Sequence, residues 1–329
     1  MVFGNVWIQK EIWKNLKKIF KLKKKTKILV VGGTGFIGYH LIKQCIKKNW
    51  KVTSISAHKP KPYRHVKKVK YLVCDISKKK QLIKIIKGNY DYLVNLGGYV
   101  DHSNKLKTYE SHYIGVKNLS EIFLNRSLKS FVQIGSGGEY GNSSPPHKES
   151  SITNINKINS WYFKSKLLSS MHLINLYIKF NFPITILRLY QAYGLKQDVN
   201  RLIPIVITNC IKGKKFNCSE GKQFRDFIFI DDVVKAIILS LKRSSAKGEI
   251  FNIASGKIIK VKKLIQIINS KVGAGQPQYG KIKLRKDEKL FFYPSIKKAK
   301  KILNWHPSIS IDQGLNETIK SYKKYHKIK

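Results

Sequence analysis

Lys27-Ile28-Leu29-Val30-Val31-Gly32-Gly33-Thr34-Gly35-Phe36-Ile37-Gly38 decides the fold class of this chain. The first five residues are an apolar run of strand length, and Phe36–Lys47 after the glycines reads as a helix. Between them the glycines permit a tight turn, let the backbone approach a ligand and let the helix pack on the strand. A helix N-terminus at this point offers unpaired N–H groups and the positive end of its dipole, which suits a pyrophosphate. The spacing is Gly-x-x-Gly-x-x-Gly and no Gly-Lys-Ser/Thr follows, so the stretch fits a dinucleotide loop and not an ATPase P-loop. Gly32, Thr34, Gly35, Phe36, Ile37 and Gly38 are the expected contacts.

The same alternation continues outward. Lys51–Ile55, Lys70–Val73, Asp91–Leu96, Ser130–Ile134 and Ile184–Leu189 read as further strands. Helices are expected at Lys79–Ile86, Tyr113–Asn125 and Tyr162–Phe180. Strands separated by helices imply right-handed crossovers and an α/β fold: a Rossmann doubly wound parallel sheet. After Leu189 the rhythm loosens, although Phe227–Ser240 and Ile250–Ile253 read as returning to the main body. The predicted organisation is an extension at 1–25, a dinucleotide domain at 26–189 plus about 229–256, and a smaller discontinuous substrate domain at about 190–228 plus 257–325. The smaller part is expected to cover the carboxyl ends of the strands, where such folds bind ligands.

Composition narrows the class. The 329 residues are 42% hydrophobic, enough for a sizeable core, and no stretch reaches the ~20 apolar residues of a spanning helix. Cys45, Cys74, Cys210 and Cys218 show no C-x-x-C spacing, which argues against a zinc site or a disulfide framework and fits a reducing cytoplasm. Sixty-five Lys and Arg face 18 Asp and Glu, a formal charge of +47. Lysines are spread along the whole chain with no nucleic-acid module, as AT-rich coding would produce, so no specific nucleic acid is expected. A non-catalytic polyanion-binding protein is the rival reading of that charge. In residues 1–25, Trp7, Ile8, Ile12, Trp13, Leu16, Ile19 and Phe20 recur at helical spacing among lysines. Such a helix suits peripheral contact with an anionic membrane, and equally packing on the body or on a partner chain.

In NAD enzymes an acidic residue ends the second strand and binds the ribose hydroxyls. Here the strand ends at Ser56, followed by Ala57, His58 and Lys59. No carboxylate stands there to repel a 2′-phosphate, and Ser56, His58 and Lys59 can bond one, so NADP(H) is favoured and NAD(H) is the alternative. Asp75, with Ile76 beside it after the third strand, is placed to accept from an adenine amino group or simply to make a turn. Tyr162 and Lys166 lie one helical turn apart on the same face. A free phenol has a pKa near ~10. A lysine ammonium one turn away, and an oxidised nicotinamide, are expected to lower it toward the working range. Ser136, after the strand Ser130–Ile134, supplies a hydroxyl for a substrate carbonyl or alcohol.

With Gly32–Gly38, Gly135–Gly141, Tyr162–Lys166, Leu187–Gly194, Arg225–Asp232, Phe251–Gly256 and Leu303–Pro307 in this order, the chain from about Lys27 to Lys324 resembles one family. It is similar to the extended short-chain dehydrogenases/reductases, the NAD(P)-dependent nucleotide-sugar epimerase/dehydratase family. The resemblance implies Tyr162 as general acid/base, Lys166 as its partner and ribose ligand, and Ser136 as the substrate-oxygen partner. It implies Arg225 and Arg201 at a nucleotide-sugar diphosphate, Gln191 at the substrate, and Leu96, Gly97 and Gly98 along the cofactor. It further implies a homodimer through the helices near Tyr113 and Tyr162.

Departures point to a subclass. His112 stands where the family usually has Asn, and Gln191 replaces another Asn. Gly137 and Gly138 stand where 4,6-dehydratases carry an Asp-Glu pair, so dehydration is disfavoured. The missing ribose-binding acid disfavours an NAD-dependent 4-epimerase, which stays as the alternative. The expectation is NADPH-dependent reduction of a 4-keto-6-deoxy nucleotide sugar, as in CDP-abequose synthase-like 4-ketoreductases.

Overall fold

A computed structural model describes Glu11 and residues 25–99, 103–284 and 288–327, with side chains to 324. The amphipathic stretch expected in residues 1–25 thus lies almost wholly outside the described residues. The first half runs β1 (Lys27–Val31), α1 (Phe36–Lys47), β2 (Lys51–Ser56), β3 (Val69–Val73), α2 (Lys79–Ile85) and β4 (Tyr92–Asn95). It continues with α3 (Lys105–Tyr109), a π turn (Glu110–Ile114), α4 (Gly115–Leu124), β5 (Ser130–Ser136), α5 (Trp161–Phe180) and β6 (Ile184–Leu189). The helix read from Tyr113 therefore begins earlier, at Lys105, where Asn104 caps it by accepting from the Lys107 N–H at 2.9 Å.

Downstream come β7 (Gln191–Tyr193), α6 (Leu202–Ile211), β8 (Lys215–Asn217), β9 (Phe224–Phe229), α7 (Ile230–Lys242) and β10 (Glu249–Ile253). Then follow β11 (Ile258–Lys260), α8 (Val261–Val272), β12 (Gln276–Gln278), β13 (Phe291–Phe292), α9 (Lys297–Leu303) and α10 (Ile311–Lys327).

Seven parallel strands form the main sheet in the order β10-β6-β5-β4-β1-β2-β3. β1 sits inside it and is covered on both faces, which is why its sequence is continuously apolar. Alternation divides its side chains: Ile28 and Val30 enter one core cluster, Leu29 and Val31 the other. β7, β9, β11 and β13 make a second sheet, and β8 pairs with β12. The return read from Phe227 starts instead at Ile230, because β9 pairs in the second sheet while α7 packs on α1 and β5.

The C-terminal segment is tied back by one carboxylate. Buried Asp232, in the first turn of α7, accepts from the backbone N–H groups of Ser308 (2.9 Å) and Ile309 (3.0 Å). Its own carbonyl accepts from the buried Trp305 indole at 3.0 Å. All four cysteines are buried free thiols, and among the described residues no helix is long and apolar enough to cross a membrane.

Candidate active site

The strand order reverses between β1 and β4, and the loops leaving these two strands meet there. Gly32 has φ +77°, and a Cβ on it would lie 2.8 Å from the backbone nitrogen of Gly97. Only glycine lets the two chains approach so closely. The Gly97 N–H donates to the Asn95 side chain at 3.0 Å and the Leu96 N–H to the Val31 carbonyl at 2.9 Å, which fixes Leu96–Gly98 beside the glycine loop. α1 starts at Gly35 with no side-chain cap and no acid in its first turn. Its leading N–H groups and its dipole therefore face the loop with no counter-charge from the helix itself, which fits a dinucleotide pyrophosphate.

The residues expected at the adenosine end of a dinucleotide are only partly brought together. Ser56 is buried, and its Oγ accepts from the Thr34 N–H at 3.4 Å, so this hydroxyl supports the glycine loop. His58 and Lys59 are exposed just beyond β2. Asp75 is exposed after β3 and accepts from the Ser77 N–H at 2.9 Å, an Asx turn. Ile76 is buried against the face of Gly115.

Ser136, Tyr162 and Lys166 do come together. Ser136 ends β5, and its side chain hydrogen-bonds that of Tyr162, which enters from the first turn of α5. Lys166, one turn on, is buried and donates to the Ile134 carbonyl at 2.7 Å, with Nζ 5.9 Å from the Tyr162 ring centroid. The expected lowering of the phenol by Lys166 is not what this packing gives. Tyr162 is pushed up to about 12, first by desolvation and then by the Glu139 carboxylate, against the lowering influence of Arg201 and Ser136. Desolvation brings Lys166 down to about 8, against the pull of Glu139. The cleft thus holds a protonated phenol beside a lysine lowered toward the neutral range.

The central residue of the site was missed in the sequence. Glu139 is fully buried and accepts from the Ser136 N–H (2.7 Å), the Ser170 hydroxyl (2.7 Å) and Arg188 Nε (2.9 Å). It thereby links the end of β5 to α5 and β6. The Ser136 Oγ accepts in turn from the Gly138 N–H at 3.2 Å, completing a capping box. The Ser-x-x-Glu spacing carries that signal.

The two glycines inside this turn face aromatic rings. A Cβ on Gly137 would meet the Tyr190 ring at 2.5 Å, and one on Gly138 would collide with Phe163. Tyr190 is held by His147, whose Nδ1 lies 2.8 Å from its hydroxyl, and His147 stacks on Tyr140 with centroids 5.0 Å apart. Burial lowers His147 to about 4 and keeps the imidazole neutral in this wall.

On the substrate side, Gln191 and Arg201 are exposed, and Arg201 acts on Tyr162 through its charge. Arg225 is buried on β9 and already engaged. It donates to Glu288, to the Phe224 carbonyl at 2.7 Å and to the Lys289 carbonyl at 2.8 Å. Any anion gripped by Arg225 must compete with Glu288. Glu139→Ala would leave Arg188 buried and unpaired, and we expect it to lower stability by about 3–5 kcal/mol. Denaturant unfolding measures this, and a change under about 1 kcal/mol would remove the pair from its central place.

Residues 28–254 match the NAD dependent epimerase/dehydratase family. Among curated proteins, the chain is 29% identical over 306 residues to a putative UDP-glucose 4-epimerase of Methanocaldococcus jannaschii, covering 89% of this chain and 97% of that one. It is 27% identical over 325 residues to the dTDP-4-dehydro-6-deoxyglucose reductase of Escherichia coli (91% and 98% covered). It is 24% identical over 302 residues to the CDP-abequose synthase of Salmonella muenchen (89% and 97%). The UDP-glucose 4-epimerase of Thermotoga maritima, solved with UDP-glucose, superposes with TM-score 0.86 at 24% identity, covering 92% of this chain and 100% of that one. Glycine loop, Ser-Tyr-Lys cleft and seven-stranded parallel sheet agree with these matches: the chain belongs to the NAD-dependent epimerase/dehydratase family of extended short-chain dehydrogenases/reductases, nucleotide-sugar enzymes.

Proposed function

We propose that this enzyme reduces the C4 carbonyl of a 4-keto-6-deoxy nucleotide sugar, with NADPH as the cofactor. The observation that carries the choice is the turn at Gly137 and Gly138, where any side chain would run into Tyr190 and Phe163. Dehydration needs acid and base groups close to the sugar's C5 and C6, and this wall is aromatic. Reduction needs only a hydride source, one proton donor and a group to steady the developing alkoxide.

The glycine loop and the start of α1 would hold the pyrophosphate, with Leu96–Gly98 alongside. Ser56, His58 and Lys59 are read as the 2′-phosphate side, and Asp75 and Ile76 as the adenine side. Bound there, the reduced nicotinamide supplies the hydride. Tyr162 then gives its proton to the carbonyl oxygen, and its high pKa in the free protein suits a donor that must stay protonated until that moment. Ser136, hydrogen-bonded to Tyr162, steadies the same oxygen. The Lys166 ammonium lies beside the tyrosinate left behind. Gln191, Arg201 and Arg225, from the region about 190–228 plus 257–325 read as the substrate domain, are assigned to the nucleotide sugar. The relatives named as a 4-keto-6-deoxy-sugar reductase and as CDP-abequose synthase support the reaction class.

A panel of dTDP-, CDP- and UDP-linked 4-keto-6-deoxyglucose with NADPH and with NADH tests the assignment. Turnover should be greater with NADPH, and Tyr162→Phe should lose about 10²–10⁴-fold in kcat with NADPH affinity preserved. Purified protein that carries bound NAD and interconverts sugars without added cofactor would make it an epimerase instead.

The pH profile supplies a second check. Lys166 is charged below about 8 and neutral above it. Reductive kcat/KM should therefore fall as pH rises through about 8, and Lys166→Arg should move that fall upward. A profile flat to pH 10 in the native protein removes the role given to the ammonium.

Trp161, Met171 and Ile178 are exposed along one side of α5. We read that stripe as the contact with a second copy of the chain. Sedimentation velocity should give a dimer that Met171→Glu splits, and a monomeric native protein would refute the contact.

A further inference from the structure

We infer that His112 is a positioning residue for Tyr162, acting through its ring. His112 lies in the π turn Glu110–Ile114, between α3 and α4. A π turn inserts one residue into the helical register and re-aims the side chains around it. Here the re-aimed side chain is an imidazole, buried beside Tyr162.

Contacts with the β4 loop and with Tyr162 hold that ring. Its Nε2 lies 3.1 Å from the Tyr99 carbonyl oxygen. A carbonyl can only accept, so Nε2 carries the proton and donates it. The ring fills the space that a Cβ on Gly98 would need, so the chain leaving β4 is cut back to glycine around it. Its third neighbour is Tyr162, edge to face, with centroids 4.9 Å apart and planes at 73°. The backbone beneath is also held, since the His112 carbonyl accepts from the Ser169 hydroxyl at 2.5 Å, one turn after Lys166 on α5.

The imidazole therefore stands between the β4 loop and the phenol. It sets the plane in which the Tyr162 ring lies, and with it the direction of the hydroxyl toward Ser136. An asparagine or a small side chain leaves that flank open. Edge-to-face pairs are directional, and the ring filling this gap prevents the phenol from tilting. Proton transfer depends steeply on such alignment, and a displacement of about 1 Å can cost up to ~100-fold in rate.

The inference rests on Tyr162 being the proton donor, so Tyr162→Phe is the reference throughout. Two variants separate a ring effect from a general packing effect. His112→Ala removes the ring, and His112→Phe keeps the edge contact while losing the bond to Tyr99. Turnover is followed with dTDP- or CDP-4-keto-6-deoxyglucose, whichever the native enzyme reduces. In parallel, the Tyr162 signal is read by NMR in protein labelled with [¹³Cζ]tyrosine, assigned as the resonance absent from Tyr162→Phe.

His112→Ala should lower kcat by about 10- to 100-fold with KM for the sugar and affinity for NADPH held within about threefold. Its Tyr162 resonance should move and broaden. His112→Phe should recover most of the lost kcat and a sharp Tyr162 resonance. The inference is overturned by His112→Ala with native kcat, by equal loss in both variants, or by KM and cofactor affinity failing together with kcat. Tyr162→Phe that keeps more than about a tenth of native kcat would overturn the donor assignment instead, a result distinct from any of these.

Discussion

Glu139 is the constraint on which the catalytic geometry depends. It is fully buried, so its two oxygens must be met by protein, and they are met from three elements at once. The Ser136 N–H fixes the turn at the end of β5, the Ser170 hydroxyl fixes α5, and Arg188 fixes the neighbouring strand β6. Tyr162 and Lys166 sit on the same helix as Ser170, so one carboxylate sets their height relative to Ser136. A buried ion pair is weak evidence for net stability, because desolvation offsets most of the attraction. Its value here is geometric: the three bonds hold the ends of β5, α5 and β6 in one register. The same carboxylate also raises the phenol and works against the lowering of Lys166 by burial.

Much of this was legible in the residue order. The run Ile28–Val31 could only be a strand covered on both faces, and the glycines after it could only be a tight turn into a helix. Ser136, Tyr162 and Lys166 were findable because each falls at a fixed offset from its element. What the sequence hid is what depends on distant partners. Arg225 looked like a free cation waiting for an anion, whereas Glu288, 63 residues later, folds back onto it. Tyr162 looked like a phenol lowered by a neighbouring lysine, yet desolvation by the surrounding protein dominates. Glu139 was a different kind of miss, since its spacing from Ser136 is a local signal that the stronger glycine pattern masked.

The family carries several reactions on one scaffold, and identities of 24–29% to an epimerase, a reductase and a synthase do not choose among them. Fold and reaction are separate questions here. What distinguishes members is which groups stand within reach of the sugar after the common donor and cofactor are in place. In the reading proposed above, that choice falls to two absent side chains. Gly137 and Gly138 let Tyr190 and Phe163 close against the turn, and Tyr190 is in turn locked by the neutral His147.

The position of β10 has a consequence for synthesis of the chain. β6 is complete at Leu189, but the strand that pairs with its outer edge does not begin until Glu249. While the ribosome adds the residues between, the edge of β6 that later pairs with β10 has N–H and C=O groups without that partner. Domains generally fold as units, so the border of β6 can be covered by its partner strand only once Glu249–Ile253 has been made. The insertion that carries Arg201 and Arg225 is thus the same stretch that delays closure of the sheet.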